Sequence, residues 1–184
     1  MSINSSLAIR NENAGKQILL SALQIFGASL FIALCAQIQI PLYFTPIPLT
    51  GQTFAIMLIA ATMGSRKGAL SVMAYIAEAA FGLPVLTGGG FGLTLLVGAS
   101  GGYLVGFMLQ AYLIGWCVEK QRVFSSSKTL LILLSSCAMQ LGLGALWLSH
   151  YVGLDNALLF GVMPFVAGEV LKALAVTASL KASK

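Results

Sequence analysis

The chain has 184 residues, 58% of them hydrophobic and 8% charged, with a formal net charge of +5 and a mean hydropathy of +0.94. A soluble globule of this size has too little interior to hide that apolar content, so the composition excludes a water-soluble protein and identifies an integral membrane protein. The basic residues are dispersed along the chain and do not cluster, which excludes a nucleic-acid footprint; the charge reports membrane orientation instead.

The first 17 residues read as a short polar tail and not as a cleavable signal, because they hold Glu12, several Asn and no apolar core. Residues 18–180 then form one membrane domain of six apolar segments, at 18–40, 49–63, 69–83, 102–118, 129–149 and 158–180, followed by a polar end at 181–184. The first segment is about 34 Å long as a helix and crosses a bilayer, whereas the second and third reach only about 22 Å. Short spans imply connections that dip into the membrane, which is tolerated where protein or a wet cavity satisfies their backbone.

Orientation follows from where Lys and Arg fall. Arg10 and Lys16 precede the first segment, Arg66 and Lys67 separate the second from the third, Lys120, Arg122 and Lys128 separate the fourth from the fifth, and Lys181 and Lys184 follow the sixth. The connections at 41–48, 84–101 and 150–156 carry neither residue type. By the positive-inside rule both termini and the basic connections are cytoplasmic, in a bacterial-type inner cell membrane. Only Lys172 departs from this pattern.

The outward connections carry the rest of the information. Pro41, Pro46 and Pro48 end the first helix and stiffen the following loop, with Tyr43 and Phe44 at the outer interface. Glycines crowd residues 82–106, among them Gly89 and Gly90, and they alternate with Leu83, Val85, Leu86, Phe91, Leu93, Leu95 and Leu96. A solvated linker would not carry those apolar residues, so the segment is expected to pack as a lid. The predicted fold is an all-α membrane protein of six transmembrane helices, with Pro-rich and Gly-rich outward loops closing a ligand pocket.

Glu169 and Lys172 lie three residues apart on one face of the sixth segment. A charge near the bilayer centre costs about 2.5–3.5 kcal/mol, so such side chains usually face a protein interior or a wet cavity. The pair reads as the floor of the pocket, or else as an interfacial ion pair with Lys172 reaching toward a headgroup. Glu78 is a further intramembrane charge, either facing the cavity or held by a local hydrogen bond. Cys35, Cys117 and Cys137 have no CxxC or Cys/His spacing and read as small buried hydrophobes, so no metal or other cofactor is expected.

One enzyme signature needs weighing. Gly98-Ala99-Ser100-Gly101 with His150 resembles the GxSG and histidine pair of rhomboid intramembrane serine proteases, which also have six core helices. Against it, the first outer loop lacks that family's Trp-Arg pair, and His150 falls on the fifth segment or its exit instead of the sixth. No GxxxxGK[ST] loop, HExxH or evident carboxylate pair is present.

A second resemblance runs in order from about Ala28 to Lys172. Ala36-Gln37-Ile38-Gln39-Ile40-Pro41-Leu42, Thr45-Pro46-Ile47-Pro48-Leu49-Thr50-Gly51-Gln52-Thr53, Gly82-Leu83-Pro84-Val85, Gly101-Gly102-Tyr103-Leu104-Val105-Gly106-Phe107 and Pro164-Phe165-Val166-Ala167-Gly168-Glu169 with Lys172 resemble the signatures of BioY. That family is the biotin-specific substrate-binding subunit of energy-coupling-factor (ECF) transporters. Two departures stand out: the family commonly has Asp at Glu169 and Pro-Thr at Ala99-Ser100.

The resemblance implies a membrane subunit that captures biotin from outside, works with a coupling transmembrane protein and an ATPase pair or alone, and is not an enzyme. It implies that Glu169 and Lys172 hold the ligand, with Gln52, Tyr103 and Phe165 next, Tyr43 and Phe44 closing over it, and Gly89, Gly90 and Ser100 in the lid. Ser29 and Ala33, a small-xxx-small pair, would then be the docking face for the coupling partner. A subunit for another vitamin is the alternative within this class.

Overall fold

The computed structural model describes residues 3–45, 47–121 and 125–182, with side chains described from Gly15 onward. Pro46, Arg122 and Lys184, used above as loop and orientation signals, lie outside the described residues. Helix α1 runs Ile3–Gln37, α2 Gln52–Ala80, α3 Leu93–Val97, α4 Gly101–Glu119, α5 Ser126–Val152, α6 Leu154–Gly161 and α7 Met163–Ala182. Strands β1, Gln39–Ile40, and β2, Leu49–Thr50, pair antiparallel and bracket the Pro-rich loop. The residues read as a polar tail continue α1, whose 35 residues give a helix of about 52 Å.

The second and third apolar segments are the two arms of α2, which meet at Gly64 with φ 82° and ψ −179°. A straight helix would separate Gln52 from Tyr75 by about 34 Å, yet Gln52 Nε2 donates to Tyr75 Oη at 2.6 Å, so the chain reverses at Gly64. No open loop separates these spans. The positive φ suits glycine, and an added Cβ would also collide with the Glu119 carboxylate. Glu119 Oε1 accepts from Ser65 N at 2.8 Å and its Oε2 from Ser65 Oγ at 2.9 Å, so a carboxylate from the end of α4 caps the second arm. Lys67, donating to Gln24 at 2.7 Å, and Lys120, stacked 3.6 Å over the Trp116 ring, flank the same turn.

The sixth segment is also divided. Pro164 has no N–H to give to the preceding turn, and the N–H of Phe165 bonds to Val162 O at 3.0 Å in place of Gly161 O. The released Gly161 carbonyl accepts from Tyr103 Oη at 2.7 Å, which ties the break between α6 and α7 to α4.

Among the described residues, four stretches are long and apolar enough to cross a membrane: Gly15–Gln37, Gly101–Glu119, Ser126–Val152 and Leu154–Ala182 across its break. With the two arms of α2 they make a six-helix, all-α membrane fold. Its core runs along the inner faces of α1, α2, α4, α5 and α7 and includes Ile32, Ile56, Tyr75, Ile114, Leu133, Leu148 and Val176.

The glycine-rich segment packs as expected. It forms a 3₁₀ turn at Thr87–Gly89, a Leu86–Gly90 bridge and helix α3. Gln37 fastens one side, donating to Leu86 O at 3.2 Å and accepting from Gly89 N at 3.1 Å. On the other side Trp147 Nε1 donates to Gly98 O at 2.9 Å and Tyr151 Oη to Val97 O at 2.7 Å.

Candidate functional site

A cavity of about 230 Å³ opens beneath this cover. Its walls come from α2, α4, α5 and α7, and Gln39, Pro48, Thr87 and Leu95 reach over it from the β1–β2 hairpin and the glycine-rich segment. Tyr103, Leu104, Phe107, Leu141 and Phe165 make most of the lining apolar, and the charged pair Glu169 and Lys172 stands on α7 beside Gln52 and Thr53 of α2. An apolar chamber with a few fixed polar groups is the form of a small-molecule site.

Glu169 and Lys172 meet there one helical turn apart, with Lys172 Nζ 2.8 Å from Glu169 Oε1. Thr53, near the start of α2, lies between them. Its hydroxyl donates to Glu169 Oε1 at 2.7 Å while accepting from Lys172 Nζ at 2.7 Å. The carboxylate is 4% exposed, so burial without these partners would carry a heavy desolvation cost. Two of the three ammonium donors are spent on protein, which leaves one for a ligand. Among the described residues Glu169 Oε2 has only the Cys137 thiol, 3.4 Å away, a weak donor, and so keeps acceptor capacity. One strong acceptor and one strong donor are thus presented side by side.

Gln52 lines the cavity, but its amide is committed to the protein. Its Oε1 accepts from Thr50 Oγ1 at 2.8 Å and Thr87 Oγ1 at 3.2 Å, and its Nε2 donates to Tyr75. It braces the cover against α2. Tyr103 contributes its ring while its hydroxyl is engaged with Gly161; its tight fit depends on Gly144, where any Cβ would overlap the ring. Ser100 lines the rim, with Oγ donating to Leu95 O at 3.4 Å.

Several expected positions lie elsewhere. Tyr43 is fully exposed and Phe44 is 59% exposed, its ring 6.5 Å from that of Phe160; Ile47, Pro48 and Thr50 of the same loop line the cavity instead. Gly89 and Gly90 are outside the lining because their backbone forms the turn that carries Leu86 and Thr87 inward. Ser29 and Ala33 are buried and do not present an open docking face: Ser29 is wholly enclosed, donating to Glu78 Oε1 at 2.6 Å and to Phe26 O at 2.8 Å. That bond also places Glu78 between α1 and α2 and outside the cavity lining.

The serine-protease arrangement is not formed. Ser100 is bonded to Leu95 O, and His150 Nδ1 faces Leu146 O at 3.1 Å and Trp147 O at 3.3 Å on its own helix; among the described residues no hydrogen bond joins the two. Thr50, Thr53, Thr87 and Gln140, which the linear reading does not single out as ligand contacts, also line the cavity, and Cys137 lies behind Glu169. Gln140 carried the same signal as Glu169, a strongly polar residue inside an apolar span.

Comparison with known proteins identifies the family and the fold. The BioY family model matches residues 10–184. The chain is 31% identical to the probable biotin transporter BioY of Pyrococcus horikoshii over 84% of its own length and 91% of that protein. It is 38% identical to the biotin transporter BioY of Thermotoga maritima, over 81% and 88% respectively. The crystal structure of the S-component for biotin from an ECF-type ABC transporter superposes with a TM-score of 0.81, at 29% identity and 89% coverage of each chain. These relatives are transporters and not enzymes, and the chain belongs to the BioY family.

Proposed function

We infer that this chain is a membrane-embedded subunit that captures biotin at the outer face of the inner cell membrane and mediates its uptake, with both termini cytoplasmic. The observation that carries this reading is the buried Glu169–Thr53–Lys172 group in a largely apolar chamber of a BioY family member. Biotin carries two ureido N–H donors, a ureido carbonyl, an apolar bicycle and a carboxylate tail. Glu169 Oε2 takes a ureido N–H, the free donor of Lys172 takes the ureido carbonyl or the carboxylate, and Phe107, Tyr103 and Phe165 pack on the apolar part.

Inward release is assigned to a coupling transmembrane protein and an ATPase pair working with this chain. The S-component likeness supports that division of labour. The lipid-exposed side of α1, with Leu19, Leu20, Leu23 and Leu34, offers the partner an apolar surface that Ser29 and Ala33 do not.

The test is a mass spectrum of ligand released from protein purified gently in detergent, followed by calorimetric titration. Released biotin and saturable one-to-one binding support the reading. A different vitamin in the spectrum, or no heat with biotin, overturns it.

A further inference from the structure

The chain scatters its basic residues, but the fold gathers three of them at the Gly64 turn, at the far end of both arms of α2 from the cover. Ser65 is bonded through its N–H and its hydroxyl to the Glu119 carboxylate, at 2.8 and 2.9 Å. The next residue on each side of that contact is a cation, Arg66 on α2 and Lys120 at the end of α4. Helix α4 lies directly on the turn, since a Cβ on Gly115 would overlap the Gly64–Ser65 peptide. Lys67 reaches across to α1, where its ammonium meets the neutral Gln24 amide at 2.7 Å. Glu119, the acid of this group, has both oxygens committed to Ser65, so three cations stand around one internally bonded carboxylate. Arg66 is exposed and has no hydrogen bond or ion pair among the described residues.

The face of α4 that runs into this group is apolar and open. Val105, Leu109, Tyr112 and Trp116 are each 42–50% exposed and share one side of the helix. Lys120 continues the stripe, with its ammonium 3.6 Å over the Trp116 ring. From Val105 to Lys120 the helix rises about 22 Å, roughly the depth of one leaflet with its headgroups. Aliphatic residues, then two aromatics, then cations follow the order in which a phospholipid presents its acyl chains, interface and phosphate. The charge selects among headgroups. A zwitterionic lipid carries its own cation beside the phosphate, whereas an anionic one leaves its negative charge for Lys120 and for the forked guanidinium of Arg66.

We propose that Arg66 and Lys120, supported by Lys67, bind the headgroup of one anionic phospholipid whose acyl chains lie along the Val105–Trp116 stripe of α4. The site is separate from the ligand chamber and does not depend on what the chamber holds. It fastens to the bilayer the turn at which α2 reverses.

The experiment is native mass spectrometry of the full chain in detergent, titrated with equal amounts of a phosphatidylglycerol and a phosphatidylcholine of matched acyl chains. Each cation beside an anionic headgroup contributes about fivefold, so the wild type retains its first phosphatidylglycerol at least about tenfold more strongly than phosphatidylcholine. Arg66→Gln combined with Lys120→Gln brings that preference below about twofold. Lys128→Gln combined with Lys181→Gln removes the same amount of charge elsewhere and keeps the preference. Equal retention of the two lipids by the wild type overturns the proposal and leaves the patch to a protein partner. An unchanged preference in the Arg66 and Lys120 variant, or an equal loss in the Lys128 and Lys181 variant, overturns it as well. Displacement of the retained lipid by inorganic phosphate also overturns it, because the site then takes a free anion. If the double variant does not elute as a single species, Arg66→Gln alone decides: a loss of about fivefold supports the site and an unchanged preference overturns it.

Discussion

Thr53 and Glu169 are 116 positions apart in the chain and meet through a 2.7 Å hydrogen bond inside the membrane fold. That bond joins the start of α2 to the middle of α7, and Lys172 Nζ closes it into a three-membered group. Removing one member strands the others in a low-dielectric chamber, and breaking a buried pair costs about 3–5 kcal/mol. Glu169→Ala and Lys172→Ala are each expected to weaken biotin binding by two orders of magnitude or more. Thr53→Val, which keeps the shape, should cost about tenfold. Wild-type affinity in either alanine variant, measured by calorimetry on protein eluting as a single species, would remove the pair from the site.

The turn at Gly64 is expected to be intolerant. Alanine there must adopt a positive φ and meets the Glu119 carboxylate, so Gly64→Ala should lower stability by about 1–3 kcal/mol. Gly142 lies within α5, where an added Cβ meets nothing within 4 Å, and Gly142→Ala should be neutral or stabilising by up to about 1 kcal/mol. Thermal unfolding in detergent compares the two. Equal melting temperatures would mean that the turn relaxes freely.

Trp147 and Tyr151 hold the end of the cover through exposed hydrogen bonds to Gly98 O and Val97 O. Such bonds contribute about 0.5–1.5 kcal/mol each, so Tyr151→Phe should raise the biotin off-rate about 2- to 10-fold with little change in on-rate. Stopped-flow competition reads both constants. A change confined to the on-rate would show that the cover opens elsewhere.

Ser29 is expected to matter for folding and not for partner docking. Ser29→Ala leaves the buried Glu78 carboxylate without the Ser29 hydroxyl that donates to it, at a cost of about 1–3 kcal/mol. Ser29→Trp should fail to elute as a single species, because the position is fully enclosed. A well-behaved Ser29→Trp variant that binds biotin and loses uptake would restore the docking assignment.

Orientation is testable by labelling. In a background without Cys35, Cys117 and Cys137, cysteines placed at Lys128 and at Asn156, at opposite ends of α5 and beyond, should react with an impermeant reagent from opposite sides of the membrane. Labelling of both from one side would contradict the positive-inside assignment.

The apolar segments, the glycine-rich cover and the intramembrane Glu169 and Lys172 were legible in the linear chain. Bilayer insertion is governed by local hydropathy, and a charge within an apolar run is conspicuous without any knowledge of its neighbours. The ordered motifs shared with BioY extended that reading to the ligand class. What local pattern could not supply was which side of each helix faces inward. Ser29 and Ala33 are small residues that suit an outer or an inner contact equally well, and the direction of α1 against Glu78 decided between them. Gln52 and Gln140 are likewise the same amide on two apolar helices. Tertiary structure spends the first on Thr50, Thr87 and Tyr75 and leaves the oxygen of the second unpaired, because hydrogen-bond satisfaction depends on partners brought from distant parts of the chain.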